Sequence, residues 1–459
     1  MSRTVDEQKI AALTTNPRPA NSRPAFTMIL PTSPQVGTPN REFLLETPTE
    51  GVSHIATMAK LAGWNVKIRD LRMGEDFEDA CRDAAERGGV MATPTFIDSY
   101  PVNLAILNRV RELNPQIVTL IGGALVSSLP EPLITALKPD YTVLGEGEAT
   151  LLDVLDHIED GGNPASAKDI TGLGLLLDGK VHFTAKRKQL MDLDVLPIPD
   201  LSLFPSVQKN PVIPELGLTT SRGCYGRCSF CFLNMEKLSY KSPERFESEV
   251  KELVEKHSIR YFYINDLTFT SNLERTYKIC DVLKKYGLTW TCSTRVERIK
   301  PELLRYMHEC GCRDIWYGVE SVDQTVLDLA DKATKVEEIE YAVAETVKAG
   351  IKVAANLIVG LPGESEESLR KMMEFCWKSE VIPISIKYLT PFPGTKIYDM
   401  AVERGYITDH IEYLQTLAER KVNDPNDAII NLTDLPEAPL RAAFDELLRI
   451  RQERLKEFL

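Results

Sequence analysis

Residues 216–231 read LGLTTSRGCYGRCSFC, a short apolar run that passes directly into a glycine-containing loop holding Cys224, Cys228 and Cys231. Downstream of it, strand and helix patterns alternate. Strands are expected at Leu216–Ser221, Arg260–Asp266, Thr289–Val296, Asp314–Ser321, Lys352–Gly360 and Ile384–Thr390, with amphipathic helices between them. Six parallel strands joined by crossover helices build a partial (β/α)6 TIM-like barrel, spanning 216–399, whose chemistry belongs at the carboxyl ends of its strands. The cysteine loop follows the first of those ends.

Upstream, the segment 26–160 has the same alternation. Its apolar runs are Phe26–Pro31, Trp64–Ile68, Val90–Thr95, Gln116–Gly122 and Tyr141–Leu144, separated by helix-length stretches such as GVSHIATMAKLAG. The pattern implies an α/β, Rossmann-type, doubly wound parallel sheet, a fold that binds ligands at its strand ends. Residues 1–25 read as a polar leader. Residues 161–215 read as a linker, with a hairpin at LLLDGKVHF, where Asp178-Gly179 suits a tight turn, and a proline-rich stretch after it. A small helical region, 400–459, closes the chain; the charges of its final amphipathic helix mark a solvated face.

At 459 residues the chain is long enough for two or three cores. A net charge of −13 argues against nucleic acid as the partner, because phosphate neutralisation needs clustered Lys and Arg. No run approaches the roughly 20 apolar residues of a membrane helix, and the polar N-terminus has no secretory apolar core, so a cytoplasmic location is expected. Nine scattered cysteines do not form a disulfide framework. Six of them lie in apolar helix or strand patterns as small buried thiols. The remaining three, spaced by three and two residues, can close around one metal centre from one side. Thiolates suit zinc or iron–sulfur clusters. Structural zinc takes four ligands, and the nearest downstream candidate, His257, lies a whole helix away. A cluster with one open iron explains the missing fourth ligand better.

This CxxxCxxC motif, with aromatic Phe230 before its third cysteine and a barrel strand ahead of it, resembles the radical S-adenosylmethionine superfamily, in its cobalamin-binding-domain-containing, class B methyltransferase-like branch. The similarity extends over most of 216–396. It implies a [4Fe–4S] cluster on Cys224, Cys228 and Cys231, catalytic in that its open iron chelates S-adenosylmethionine and cleaves it to a radical. An electron donor such as ferredoxin or flavodoxin is implied as well. The segment YFYINDLTFTSN is similar to the second-strand region of this branch, which places Asp266 at the ligand's amino group. Arg295, at a strand end, suits a clamp on the ligand carboxylate. Glu320 is placed to accept ribose or amino donors. Gly360 and Pro362 form a turn where backbone approaches the nucleoside. The segment KYLTPFPGTKIYDMA also resembles this branch; Asn356, Lys387 and Tyr388 lie near rim positions as candidate substrate contacts, each equally open to a packing role.

The N-terminal sequence is similar to the cobalamin-binding domain fused to this class, which points to Gly122, Gly123, Gly145, Glu146 and Gly147 as cobalamin-binding positions. The Asp-x-His-x-x-Gly signature that donates a histidine to cobalt is absent, and His54 and His157 read as surface or packing positions. Either the corrin is held by its periphery, which the strand-end glycines favour, or the domain is a relic. The function implied is methyl transfer from methylcobalamin to an unactivated carbon of a peptide or protein side chain or a small metabolite. The alternatives are a radical enzyme of another outcome, such as cyclisation, epimerisation or methylthiolation, with a non-functional cobalamin domain, and a non-catalytic iron–sulfur or zinc module.

Overall fold

The computed structural model describes residues 3–32, 48–232, 235, 237–419 and 430–458. The chain divides into two compact units. The first begins with α1 (Val5–Thr15), whose Thr4 and Glu7 form a capping box and whose Ile10 is fully buried. The expected polar leader is therefore a docked helix. Its anchor is Glu7, whose carboxylate accepts the Met191 and Asp192 amides at 2.9 Å each.

The sheet of this unit follows as β1 (Ala25–Leu30), α2 (Glu50–Leu61), β2 (Asn65–Asp70), α3 (Phe77–Arg87), β3 (Val90–Pro94), α4 (Tyr100–Leu113), β4 (Val118–Gly122), α5 (Pro130–Leu137), β5 (Tyr141–Val143) and α6 (Glu148–Glu159). Strands β1, β3 and β5 are almost continuously buried runs, the pattern of parallel strands covered on both faces. The parallel strands stand in the order β2-β1-β3-β4-β5, a doubly wound arrangement with its reversal between β1 and β3.

The hairpin does not lie in a linker. Strands β6 (Leu173–Leu177) and β7 (Lys180–Phe183) extend the sheet antiparallel from β5, turning at Asp178 (φ 49°) and Gly179 (φ 74°). The proline-rich stretch beyond is core as well: Leu193, Val195, Leu201 and Phe204 are buried in short turns, and the first unit runs on to Ile213. Apolar residues spaced irregularly between prolines match neither the helix nor the strand period, which is why they read as a connector.

The second unit holds β8 (Glu215–Leu218), α7 (Pro243–His257), β9 (Tyr261–Ile264), α8 (Leu273–Lys285), β10 (Thr289–Thr294), α9 (Pro301–Glu309), β11 (Cys312–Glu320), α10 (Val336–Lys348), β12 (Lys352–Val359), α11 (Glu366–Lys378) and β13 (Val381–Tyr388). All six strands are parallel and stand in chain order, with β8 and β13 at opposite edges. The last helix, α12 (Glu437–Phe458), buries Leu440, Phe444, Leu447 and Ile450, and packs on β13 and α11. The C-terminal region is not one body: the helix His410–Glu419 packs on α4 and α5 of the first unit through Tyr413, Leu414 and Leu417. No described helix is long and apolar enough to cross a membrane.

Candidate active site

The cysteine loop leaves the carboxyl end of β8 through Thr220 and Ser221, and the carboxylate of Asp266, just past the end of β9, grips both. It accepts the amide and hydroxyl of Thr220 at 2.6 Å each, the Ser221 amide at 2.9 Å and the Ser221 hydroxyl at 2.7 Å. From the other side Arg275 of α8 donates to the Thr220 hydroxyl (3.0 Å) and carbonyl (2.6 Å) and to the Lys241 carbonyl (2.9 Å). Asp266 is 1% exposed and its oxygens are taken. This corrects the amino-group contact expected of it: Asp266 staples the loop to the sheet. Its neighbour Asn265 is exposed and lies over Gly217, where a Cβ would come within 2.3 Å of Asn265 Nδ2. The two neighbours point to opposite faces, as strand alternation requires.

Within the loop, Cys224 Sγ is 3.3 Å from the Gly226 amide, which donates to it, and 3.3 Å from Thr268 Oγ1. Arg295 Nη1 lies 3.4 Å from Cys228 Sγ. A Cβ on Gly226 would come within 2.7 Å of that same nitrogen, so a larger residue there would have to displace the Arg295 guanidinium. The loop is anchored by the Ser229 amide to the Ala330 carbonyl (2.9 Å) and by the Ile397 amide to the Ser229 carbonyl (3.1 Å). Cys231 is exposed at its surface. Protein packed around it still pushes its thiol up to about 11, with the nearby Cys228 and Cys224 thiols adding and Lys332 opposing. Among the described residues, no three His, Cys, Asp or Glu side chains are grouped to hold a single metal ion.

Arg295 was expected to be an open carboxylate clamp; its fork is committed instead. It pairs with Glu297 (Nη2 to Oε1 2.5 Å), donates to Thr334 Oγ1 (3.1 Å) and to the Lys332 carbonyl, and lies over the Tyr225 ring. Burial works against the Glu297 carboxylate, but hydrogen bonds from Arg295 and Thr334 outweigh it and hold its pKa below the usual range. Glu320 stands at a β-bulge with left-handed backbone (φ 64°), its Oε1 3.2 Å from Lys332 Nζ. The Gly360 amide donates to Glu364 Oε2 at 2.5 Å. Burial pushes the Glu364 carboxyl up to about 8 against that bond, and its second oxygen has no hydrogen-bond partner among the described residues.

Asn356 and Lys387 share one face of the sheet, half-buried, through the registers Asn356 to Ser385 and Ile358 to Lys387. The same face carries Tyr263 and Trp316, edge to face with centroids 6.4 Å apart. Tyr388 points elsewhere: 7% exposed, it stacks on Phe444 at 4.3 Å and packs the core. Sequence motifs mark neither aromatic on the shared face, although strict alternation within YFYI and DIWYG carries them to the same side as Asn356.

In the first unit, Gly122 and Gly123 end β4, and a Cβ on Gly123 (φ 114°) would sit 2.8 Å from the Thr95 carbonyl oxygen. Gly145 (φ 77°) faces open space, and a Cβ on Gly147 would meet Ile55 Cδ1 at 3.0 Å. Glu146 is tied down, its Oε2 accepting the Leu190 amide at 2.7 Å. His54 is 1% exposed on α2, its Nε2 3.6 Å from Glu50, and among the described residues neither ring nitrogen is hydrogen-bonded.

Residues 218–376 match the radical SAM superfamily, and residues 40–155 match the B12 binding domain. The chain joins a B12-binding domain to a radical SAM domain. It is 28% identical over 374 residues to an uncharacterized methyltransferase of Pyrococcus horikoshii, covering 78% of this chain and 80% of that protein. It is 26% identical over 338 residues to the anaerobic magnesium-protoporphyrin IX monomethyl ester cyclase of Cereibacter sphaeroides, covering 71% of this chain and 55% of that enzyme. The radical S-adenosylmethionine methyltransferase TsrM from Kitasatospora setae, solved with cobalamin and a [4Fe–4S] cluster bound, has the same fold: TM-score 0.67 at 16% identity, covering 83% of this chain and 75% of that one.

The radical SAM domain has the donor set its cluster needs. Two of the three sulfurs already receive N–H groups, from Gly226 and Arg295, the bonds that favour ligating thiolates. In the B12-binding domain, left-handed glycines at the ends of β4 and β5, exposed and free of side chains, leave backbone open to a flat macrocycle. Both sites fit their groups.

Proposed function

We propose that the protein is a cobalamin-dependent radical S-adenosylmethionine methyltransferase acting on an unactivated carbon. One observation carries the reading: three thiols in a loop stapled by Asp266 to the carboxyl edge of an in-order, six-stranded parallel sheet, with amide and guanidinium donors already on two sulfurs. When bound, the cluster supplies the electron that cleaves S-adenosylmethionine, and cobalamin supplies the carrier for the methyl group.

The chain's own residues bind and orient. Cys224, Cys228 and Cys231 hold the cluster; Phe230 and Glu320 border the sulfonium ligand; Gly360 and Pro362 bring backbone close to its nucleoside. Asn265, exposed where Asp266 is not, takes the polar contact at the end of β9. Gly122, Gly123, Gly145 and Gly147 receive cobalamin. Tyr263, Trp316, Asn356 and Lys387 form the substrate face, an aromatic floor with polar edges that suits a small molecule or a side chain.

Anaerobic turnover tests this. S-adenosylhomocysteine, 5′-deoxyadenosine and a methylated product are expected together. Deoxyadenosine without methyl transfer sinks the methylase reading and favours a second one, ring closure, which the similarity to the cyclase supports.

A further inference from the structure

Away from the cysteine loop, four more thiols gather in the second unit. Cys280 lies on α8, Cys292 on β10, Cys310 caps the end of α9 and Cys312 opens β11. All four are buried, and they act on one another electrostatically. Two pairs interact side chain to side chain, Cys280 with Cys310 and Cys292 with Cys312. Among the described residues, no three of them are grouped to hold a metal ion, so the chemistry open to them is that of thiol pairs.

The first pair sits where two helices meet. Helix α8 turns Tyr277, Cys280, Asp281 and Lys284 to one side, at the spacing of a single helix face. That face meets Tyr306 of α9: the Tyr277 and Tyr306 rings are 5.2 Å apart, Asp281 accepts the Tyr306 hydroxyl, and Lys284 Nζ lies 5.9 Å from the Tyr306 centroid. Cys310 stands one turn beyond, its amide donating to the Tyr306 carbonyl at 3.0 Å. Its neighbours His308 and Glu309 are exposed and Gly311 is half-buried, so a small oxidant has a short path to it.

The two sulfurs differ. The contact with Cys280, and after it the charge of Lys284 and the Tyr306 hydroxyl, draw the Cys310 thiol below its usual value although burial opposes them. Burial pushes Cys280 well above its own. A sulfur inclined to ionise beside one that keeps its proton is the arrangement of an attacking and a resolving cysteine. The second pair is placed less well. Cys312 lies in register with Trp290, two residues before Cys292, and the sheet fixes that diagonal offset.

We propose that Cys280 and Cys310 form a reversible oxidation site that closes to a disulfide under hydrogen peroxide. The Cys310 thiolate attacks one peroxide oxygen; the O–O bond breaks, the sulfur becomes a sulfenic acid, and the departing hydroxide takes a proton to give water. The Cys280 sulfur then attacks Cys310 Sγ. An S–S bond forms, the S–O bond breaks, and the hydroxyl leaves with the Cys280 proton as a second water. Two thiols have lost two electrons and one peroxide has become two waters; a dithiol reductant returns the electrons. The link ties α8 to the residue just ahead of β11. This site takes up oxidant apart from the three loop thiols, and it does not depend on the function proposed above.

The test uses the reduced full chain with its iron and sulfide in place. It is treated with graded hydrogen peroxide in the absence of air, alkylated, digested and mapped by mass. A peptide pair joined through Cys280 and Cys310, two hydrogens lighter than its parts and separated again by dithiothreitol, is expected as the main protein disulfide. Cys81 and Cys376, both pushed up to about 12 by burial, should remain alkylated as unreactive references. Loss of the loop thiols while Cys280 and Cys310 stay alkylated overturns the proposal, and so does a main link between Cys292 and Cys312. The order of attack is read from variants treated with peroxide and dimedone, which captures sulfenic acids. Cys280→Ser should raise the dimedone adduct at Cys310 about fivefold over wild type, and Cys310→Ala should give no adduct at Cys280. Equal adducts at the two positions overturn the assignment of Cys310 as the attacking sulfur. Should a variant fail to fold, the wild-type link decides by its presence or absence.

Discussion

The two units present their ligand positions in opposite ways. At the edge of the second sheet the site is built of side chains: Asp266 and Arg275 hold Thr220, Arg295 meets Cys228, and Glu320 meets Lys332. At the edge of the first sheet the proposed positions are glycines: Gly145 leaves open space, whereas Gly123 and Gly147 leave room that Thr95 and Ile55 already approach. A small, charged cluster and an amino-acid ligand need directed donors. A broad macrocycle needs room. The first kind of site can be broken by removing atoms and the second by adding them.

The largest effect is expected at the thiols. Cys228→Ala removes one of the three thiols proposed as cluster ligands, the one that Arg295 faces, and should abolish the iron–sulfur absorbance and all cleavage of S-adenosylmethionine, while the chain's helix content stays at the wild-type level. A protein that keeps its full iron and sulfide content would remove the basis for the second site.

Next is Asp266→Ala. The substitution leaves four donors from Thr220 and Ser221 without their acceptor in a buried place. Each buried orphan costs about 1–3 kcal/mol, and partial relaxation brings the sum to roughly 3–5 kcal/mol. Denaturant unfolding of the full chain measures this. A residue that only touched a ligand's amino group would change binding and leave unfolding untouched, so the size of the loss separates a staple from a ligand.

Glu364→Gln gives an effect whose size depends on pH. Folded, the buried carboxyl keeps its proton up to about 8; its ordinary value is 4.5. Between those values the folded state binds more protons than the unfolded one, so wild-type stability falls as pH rises, by about 1.4 kcal/mol per unit from this group. The amide oxygen of a glutamine can still accept the Gly360 amide but does not ionise. The variant should therefore lack that slope and exceed wild type in stability at pH 8. Parallel stability curves for the two proteins would show that Glu364 titrates normally.

Much of this was readable from the residues, and the exceptions have physical causes. Strand and helix periods located all six strands of the second unit, because alternate strand residues are apolar and buried, as Phe262 and Ile264 are in β9 and Ile315, Tyr317 and Val319 in β11. The cysteine spacing located the loop. What a carboxylate or a guanidinium does there was not readable, since spacing says which residues reach a strand end but not which face they take. Asp266 and Asn265 are adjacent, and the period of two sends one into the core and the other out. Arg295 was read as a free fork because its partner Glu297 lies only two residues on, in a loop without any period. Lys332 carried no signal at all: left-handed backbone at Asp331 and Ala333 is invisible in a sequence that uses no glycine there. The hairpin was found but assigned to a linker, because a turn signal does not say which sheet edge the hairpin joins.

In the first unit, two glycines separate strain from ligand approach. Gly123→Ala puts a Cβ 2.8 Å from the Thr95 carbonyl oxygen on backbone that side chains seldom adopt, and should cost about 3 kcal/mol in stability. Gly145→Ala meets nothing within 4 Å, and its only penalty is the left-handed backbone, about 1 kcal/mol. Cobalamin affinity should not follow that order. If the macrocycle lies against the end of β5, the open space at Gly145 is the space it takes, and the new methyl group should weaken cobalamin binding about tenfold in a protein that is barely destabilised. Binding measured by the corrin absorbance, beside unfolding of the same variant, checks this. A Gly145→Ala protein that binds cobalamin as wild type does would show that the glycine serves its turn alone and would move the site toward Gly122 and Gly123.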